Sequence, residues 1–537
     1  MAPKLTHFPD EVLGMILGTF CLHCTREHDY DAPDGYFRPC KAKEQDPDSP
    51  SWYSQDYPRT LHSLCLVSRR FLSIAQPLLH HDFLPGYGDS WWSTTFSWDR
   101  RLSALLRTIV RRRDLAASVK RIFVHRFLFR QISQEEARSA LDDAARVLED
   151  LDVAEYYASF HATSKEYGSL GQDALGLLGV VLALVPNIDR LGLQVDGYTG
   201  GIPAVALQSL TNIVPGPGLL SRIKTLDICC HSAGKTLFSL WYAGGILEEA
   251  HGLETLNLHM CGDGFFDDSL RIGEDRLHLR HLRLTQSSLT DHSFGALLSA
   301  CAPGLETIVY EASYPFWQFV HCDGITTSPP NSRQPTDPLF RHLVKFEATL
   351  KSLYLDLRCR ERLTGRHGPL EGWEGGWTYP LTGTDTLASF SALEDVFLNT
   401  SLIYSPEQPV TADLEMLTRF LPPNVRTLKL AGGSHSADQD RLAKSLLHLA
   451  KVAAAATECD DRFSRLERVT CDASIAQELD EMAVREVFAT AGIDFAYDSW
   501  SLSEPTVPSG TLRWEEMDYG CPSVPMPLPP DDEDDDL

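Results

Sequence analysis

The chain has 537 residues, 43% of them hydrophobic, and carries 74 acidic against 48 basic side chains for a formal net charge of −26. That length exceeds one small core and that hydrophobic content suffices to bury one, so the chain reads as globular, with two or more regions or a solenoid. Its negative field repels phosphate backbones and anionic lipid heads, which argues against nucleic acid or a membrane surface as partner. The 13 cysteines are an odd, scattered set. Without a dense framework they suggest reduced thiols in the cytoplasm or nucleus. The apolar stretch VLGMILGTF follows Asp10 and Glu11 rather than a basic segment, which does not fit a signal peptide. The longest apolar run, LGLLGVVLALV at 175–185, is too short to span a bilayer.

The first element is HFPDEVLGMILGTF. Pro9 is expected at the first helical position, where its missing N–H is not needed, and Asp10 and Glu11 suit the positive end of the helix. Phe8, Val12, Leu13, Ile16, Leu17 and Phe20 then make one broad apolar face. A second helix is expected from about Leu61 to Gln76, with Leu64, Val67, Phe71, Leu72 and Ala75 apolar and Pro77 closing it. Taken alone, two such helices suit either a cap on a solenoid or a docking module. An insert of some forty residues, about 21–60, separates them. In it Cys21, Cys24, His28 and Cys40 have spacings that suit a tetrahedral metal ion. Cys21 and Cys24 equally continue the first helix, and no second C-x-x-C follows, so no metal is assigned.

The segments FPDEVLGMIL and LCLVSRRFLSIAQPLL together resemble the F-box. Phe8, Pro9, Glu11, Leu13 and Ile16 match its first half, and Leu64, Val67, Ser68, Arg69 and Phe71 its second. The resemblance implies that Phe8, Pro9, Glu11, Leu13, Ile16, Leu64, Val67, Arg69 and Phe71 dock a Skp-family adaptor, which joins the chain to a cullin scaffold. The departure is the long insert, since the two halves normally lie close together. An insertion in a surface loop adds little closure entropy, although it can mask a docking face.

Residues 86–118 read as a helical linker, with RTIVRRRD at 107–114 placing basic side chains at a helix carboxyl end. From 119 to about 500 an L-x-x-L-x-L frame recurs ten times, beginning at Val119, Ile188, Ile223, Leu253, Leu279, Leu305, Leu350, Leu393, Val425 and, more weakly, Leu466. In x-L-x-L-x the two apolar residues share one face of a strand. An apolar helical segment follows, as with Leu289, Phe294, Leu297 and Leu298. Such a unit cannot bury its own apolar side, so neighbours must stack. The expected fold is α/β, a parallel strand–helix horseshoe preceded by the small helical region of residues 1–85. LRLTQSSLTDHSFGALLSACAPGLETI and LETLNLHMC, with Cys261 three residues past the second strand leucine, resemble the cysteine-containing class of leucine-rich repeat. Ser287, Ser313 and Ser401 replace that cysteine elsewhere.

Between strand leucines, Asp227, Asn257, Arg283, Val309, Tyr354, Phe397 and Lys429 are expected to face outward on the concave side and meet a protein target. A solvated strand face is the plainer reading of each. Loops at 314–338 and 359–385 carry Trp317, Trp373 and Trp377, which suit either a binding rim or buried anchors. Residues 501–537, with seven prolines and the run DDEDDD, read as a disordered tail.

Catalytic signatures are absent. HSAGKT at 231–236 lacks the first glycine of a phosphate loop, which would fall at Cys229, and there is no G-x-S-x-G or H-E-x-x-H. A loop site around His321 and Asp323 is the remaining enzyme reading. The expectation is therefore a non-catalytic receptor without cofactors, the substrate-recognition subunit of a Skp–cullin–F-box ubiquitin ligase. The alternative is a ligase-independent leucine-rich-repeat scaffold.

Overall fold

A computed structural model describes residues 7–25, 55–85, 100–124, 128, 132–147, 172–196, 202–203, 220–230, 238–262, 272–287, 289, 291–312, 339–356, 386–404, 414–432, 436–455, 462–472 and 481–498. His28 and Cys40, HSAGKT, both tryptophan-bearing loops with His321 and Asp323, and the acidic tail lie outside them.

One parallel sheet organises the chain, and its main path runs through twelve strands in chain order. They are β1 (Asp82–Phe83), β2 (Arg121–Val124), β3 (Arg190–Asp196), β4 (Thr225–Cys230), β5 (Thr255–His259) and β6 (His281–Ser287). β7 (Thr307–Ala312), β8 (Ser352–Asp356), β9 (Asp395–Asn399), β10 (Thr427–Ala431), β11 (Arg468–Asp472) and β12 (Asp494–Asp498) complete it. The ten copies of the leucine frame are β2 to β11. The arrangement is consistent with a solenoid-like α/β fold.

Register explains the frame. Ile122, Leu191, Leu226, Leu256, Leu282, Ile308, Leu353, Val396, Leu428 and Val469 are successive partners across the sheet. Their side chains lie in one row, every one buried. The leucine-type residue opening each frame is buried in the same core, which runs from Leu102 to Phe495. A fully buried aliphatic side chain contributes about 1.5–3 kcal/mol, so each strand depends on its neighbours for most of its stability.

The structure differs from the sequence reading at five points. β1 and β12 extend the sheet at both ends, although His80 and Gly492 stand where the frame has leucine. Helices Arg101–Arg111 and Arg113–Ser118 do not simply link, because Leu102, Leu106, Ile109 and Ala116 belong to the main core. The helix expected over 61–76 is two: α3 (Pro58–Cys65) and α4 (Arg69–Leu79), which follow α1 (Asp10–Gly18) and α2 (Leu22–Thr25) in the chain. Ser68 is extended, and its hydroxyl accepts the Phe71 N–H at 3.2 Å, so it caps α4 and breaks the run. Pro77 lies inside α4, whose last residue is Leu79. Pro9, finally, is the N-cap of α1 rather than its first residue, with its carbonyl accepting the Leu13 N–H at 3.0 Å.

Crossovers vary. Helix Asp291–Ala300 connects β6 to β7 as the repeat pattern suggests, and Ser436–Ala455 connects β10 to β11. Between β8 and β9 the described residues contain no α-helix.

Candidate functional site

α1, α3 and α4 form a unit with its own small core: Leu13, Leu17, Cys21, Leu61, Phe71 and Ala75. Arg70 on α4 holds the start of α1, donating from Nε to Asp10 Oδ1 at 2.7 Å and from Nη2 to the Phe8 carbonyl. The expected docking residues separate into two sets. Leu13 and Phe71 are buried, and Phe8 and Leu64 pack partly against them, so these four hold the unit together. Pro9, Glu11, Ile16, Val67 and Arg69 are exposed.

Among the described residues eight large hydrophobic side chains are exposed, and five belong to this unit. They are Met15 (77%), Ile16 (36%), Leu66 (75%), Val67 (64%) and Leu72 (37%). Val147, Val344 and Leu414 are scattered elsewhere. Met15 and Leu66 escaped sequence reasoning. Met15 falls off the apolar stripe of α1, and Leu66 lies just past the last residue of α3.

The second expected site is the row of side chains on the sheet face opposite the leucine ladder. Asp227, Asn257, Arg283, Val309, Tyr354, Phe397 and Lys429 are indeed successive register partners. They are not open to a partner, however: all but Lys429 are buried. The strands lie one spacing apart, so facing side chains cover each other. Asp227 accepts hydrogen bonds from Arg190 Nε (2.7 Å) and Asn257 Nδ2 (2.6 Å). Tyr354 and Phe397 stack with ring centroids 4.0 Å apart, and with Val309 and Ala431 they form a small apolar cluster. Phe123 leans over its register partner Gly192, where an added Cβ would stand 2.0 Å from the ring. The next positions continue the pattern. His259, 4% exposed, has Nδ1 2.8 Å from Thr285 Oγ1, and burial pushes its pKa down to about 3. Burial likewise lowers the pKa of Arg283.

Metal-ligating side chains gather at the junction of the helical unit and the sheet. After α1 the Cys21 carbonyl accepts the N–H groups of Cys24 and Thr25, each at 3.0 Å, a turn that puts both thiols on one side. His81 enters from the start of β1, its carbonyl accepting the N–H groups of Lys120 and Arg121 at the start of β2. Cys21 is buried and Cys24 exposed. Hydrogen bonding from Cys21 and the neighbouring imidazoles hold the Cys24 thiol far below its usual range, at about 3. The Cys21 thiol is pushed up, chiefly by that same hydrogen bond and by burial.

The chain matches no protein-family model, and no curated protein matches it.

Proposed function

We propose that the chain is the substrate-recognition subunit of a Skp–cullin–F-box ubiquitin ligase. On this reading the α1–α3–α4 unit takes a Skp-family adaptor, and the sheet region, as a leucine-rich-repeat solenoid, takes a protein target. One observation carries it: the exposed aliphatic side chains Met15, Ile16, Leu66, Val67 and Leu72 on a single small helical unit. Exposed apolar side chains concentrated in one place mark a surface that a partner covers. The unit also keeps the residues of the motif where each would serve. Leu13 and Phe71 build the core, while Ile16 and Val67 supply apolar contact and Arg69 a polar rim.

The chain would then do no chemistry. It would raise the local concentration of target lysines at the transfer machinery, and positioning alone can supply much of a rate enhancement. The buried pairs at Asp227–Asn257 and Tyr354–Phe397 would fix the spacing and shape of the target-binding face, leaving direct contact to less buried groups such as the half-buried Lys429.

Co-expression of the chain with a Skp-family adaptor and recovery of a stable complex tests the reading. Ile16→Asp and Val67→Asp are surface changes that leave the helical core intact and should abolish recovery. A chain that recovers no adaptor, with its fold intact, would instead be a ligase-independent scaffold.

A further inference from the structure

Cys21, His23, Cys24 and His81 each offer one ligand atom, and all four atoms lie within 4.8 Å of one another. His81 Nδ1 is 3.5 Å from both Cys21 Sγ and Cys24 Sγ, and His23 Nδ1 is 3.8 Å from Cys24 Sγ. A tetrahedral zinc ion with Zn–S of about 2.3 Å and Zn–N of about 2.0–2.1 Å needs S···N edges of roughly 3.5 Å. The three separations match that edge to within about 0.3 Å. Two soft thiolates with two imidazoles select zinc over the oxygen-seeking cations calcium and magnesium.

We propose that Cys21 Sγ, Cys24 Sγ and the Nδ1 atoms of His23 and His81 bind one Zn2+ that clamps the amino-terminal helical unit to the first strand of the sheet. The surroundings have the form of an outer shell. His23 Nε2, the nitrogen left over, faces the Asp189 carboxylate at 3.9 Å, too long for a direct hydrogen bond. Asp82 Oδ2 accepts the His23 N–H at 3.0 Å and so fixes the turn between the two cysteines. The same oxygen is 3.6 Å from Cys21 Sγ, which serves as its donor while protonated. On binding, Zn2+ takes the place of the thiol protons that Cys21 and Cys24 carry, which pass to solvent. Two thiolates then balance the ion and leave a neutral centre beside the Asp82–Arg121 pair, whose Oδ1 and Nε are 3.7 Å apart.

The clamp would join two cores that are otherwise separate. Cys21 belongs to the small core of the helical unit, whereas His81 is fixed to β2 through its carbonyl. The sequence spacing pairs Cys21 and Cys24 with His28 and Cys40, which lie outside the described residues; among the described residues the fold brings His23 and, from 57 residues beyond Cys24, His81. The site does not depend on the adaptor reading: the chain can hold zinc and take no adaptor.

Full-length chain purified without added metal should carry one zinc per molecule by elemental analysis. With Co2+ in its place, it should show the visible bands of a four-coordinate ion and sulfur-to-metal charge transfer. Because the chain has 13 cysteines, the decisive variant keeps the ligand count. His81→Cys turns two thiolates into three and should raise the charge-transfer absorbance by about one half. Cys24→Ser should bring bound metal below one equivalent. A chain that takes up no stoichiometric zinc or cobalt would overturn the proposal. So would a His81→Cys spectrum identical to that of the parent, or a Cys21–Cys24 disulfide in the native chain with no metal bound.

Discussion

Replacing His259 by leucine measures how much the buried sheet face costs the protein in acid. His259 is 4% exposed on β5; its Nδ1 meets Thr285, and among the described residues Nε2 has no hydrogen-bonding partner. A proton added to the ring would therefore stay unsolvated, which is why the pKa falls from 6.5 to about 3. The depressed value means that the unfolded chain binds this proton first. Stability is thus complete above the unfolded pKa and is lost as pH falls from about 6.5 toward 3. At pH 5 the unfolded state gains RT ln(1 + 10^1.5), about 2 kcal/mol, and at pH 7.5 almost nothing. Leucine at this position forfeits the Thr285 bond, about 1 kcal/mol at every pH, but removes the titration. The stability difference between parent and variant, from urea midpoints, should accordingly move by about 2 kcal/mol in favour of the variant between pH 7.5 and pH 5. A difference independent of pH would show that His259 is solvated in the folded chain, and that this face is open rather than closed.

Three further outcomes are expected. Asp227→Ala removes the carboxylate facing Arg190 inside the sheet face and should cost about 3–5 kcal/mol in urea unfolding, whereas the paired change Arg190→Met with Asp227→Leu should cost far less. Gly192→Ala drives a Cβ into the Phe123 ring and should destabilise by about 1–3 kcal/mol, with Phe123→Ala in the same chain recovering much of that. Leu282→Ala opens a cavity in the fully buried ladder and should cost about 2–5 kcal/mol by the same measurement, more than any single change at Met15 or Leu66 on the surface.

The parallel sheet was legible because each copy of the leucine frame records the same local geometry, and register then stacks the copies without further information. Along the main path only the ends escaped. β1 is two residues long, and β12 has Gly492, with a φ of 72°, in place of an opening leucine. The helix break at Ser68 was hidden because Leu64, Val67 and Phe71 keep helical spacing straight across it, and the capping hydroxyl changes the backbone without changing that pattern. The sheet-face row was found by position but its burial was not. The alternation of one strand says which residues turn away from the core, whereas what covers them comes from adjacent strands, as Phe397 covers Tyr354. The cluster at Cys21 and Cys24 had half its signature in a short sequence motif. Its other half depends on β1 returning His81 to that turn, which no local spacing encodes.

The adaptor surface is the claim on which the functional account stands, and its most direct measurement is the affinity of the purified chain for a purified Skp-family adaptor. Met15→Asp combined with Val67→Asp should weaken that binding by at least about thirtyfold, since each removes an anchor worth about 1–3 kcal/mol at an interface core. Leu414→Asp, a change at another exposed apolar residue far along the chain, should leave it unaltered. Equal affinity for parent and double variant, or no affinity in either, would contradict the account.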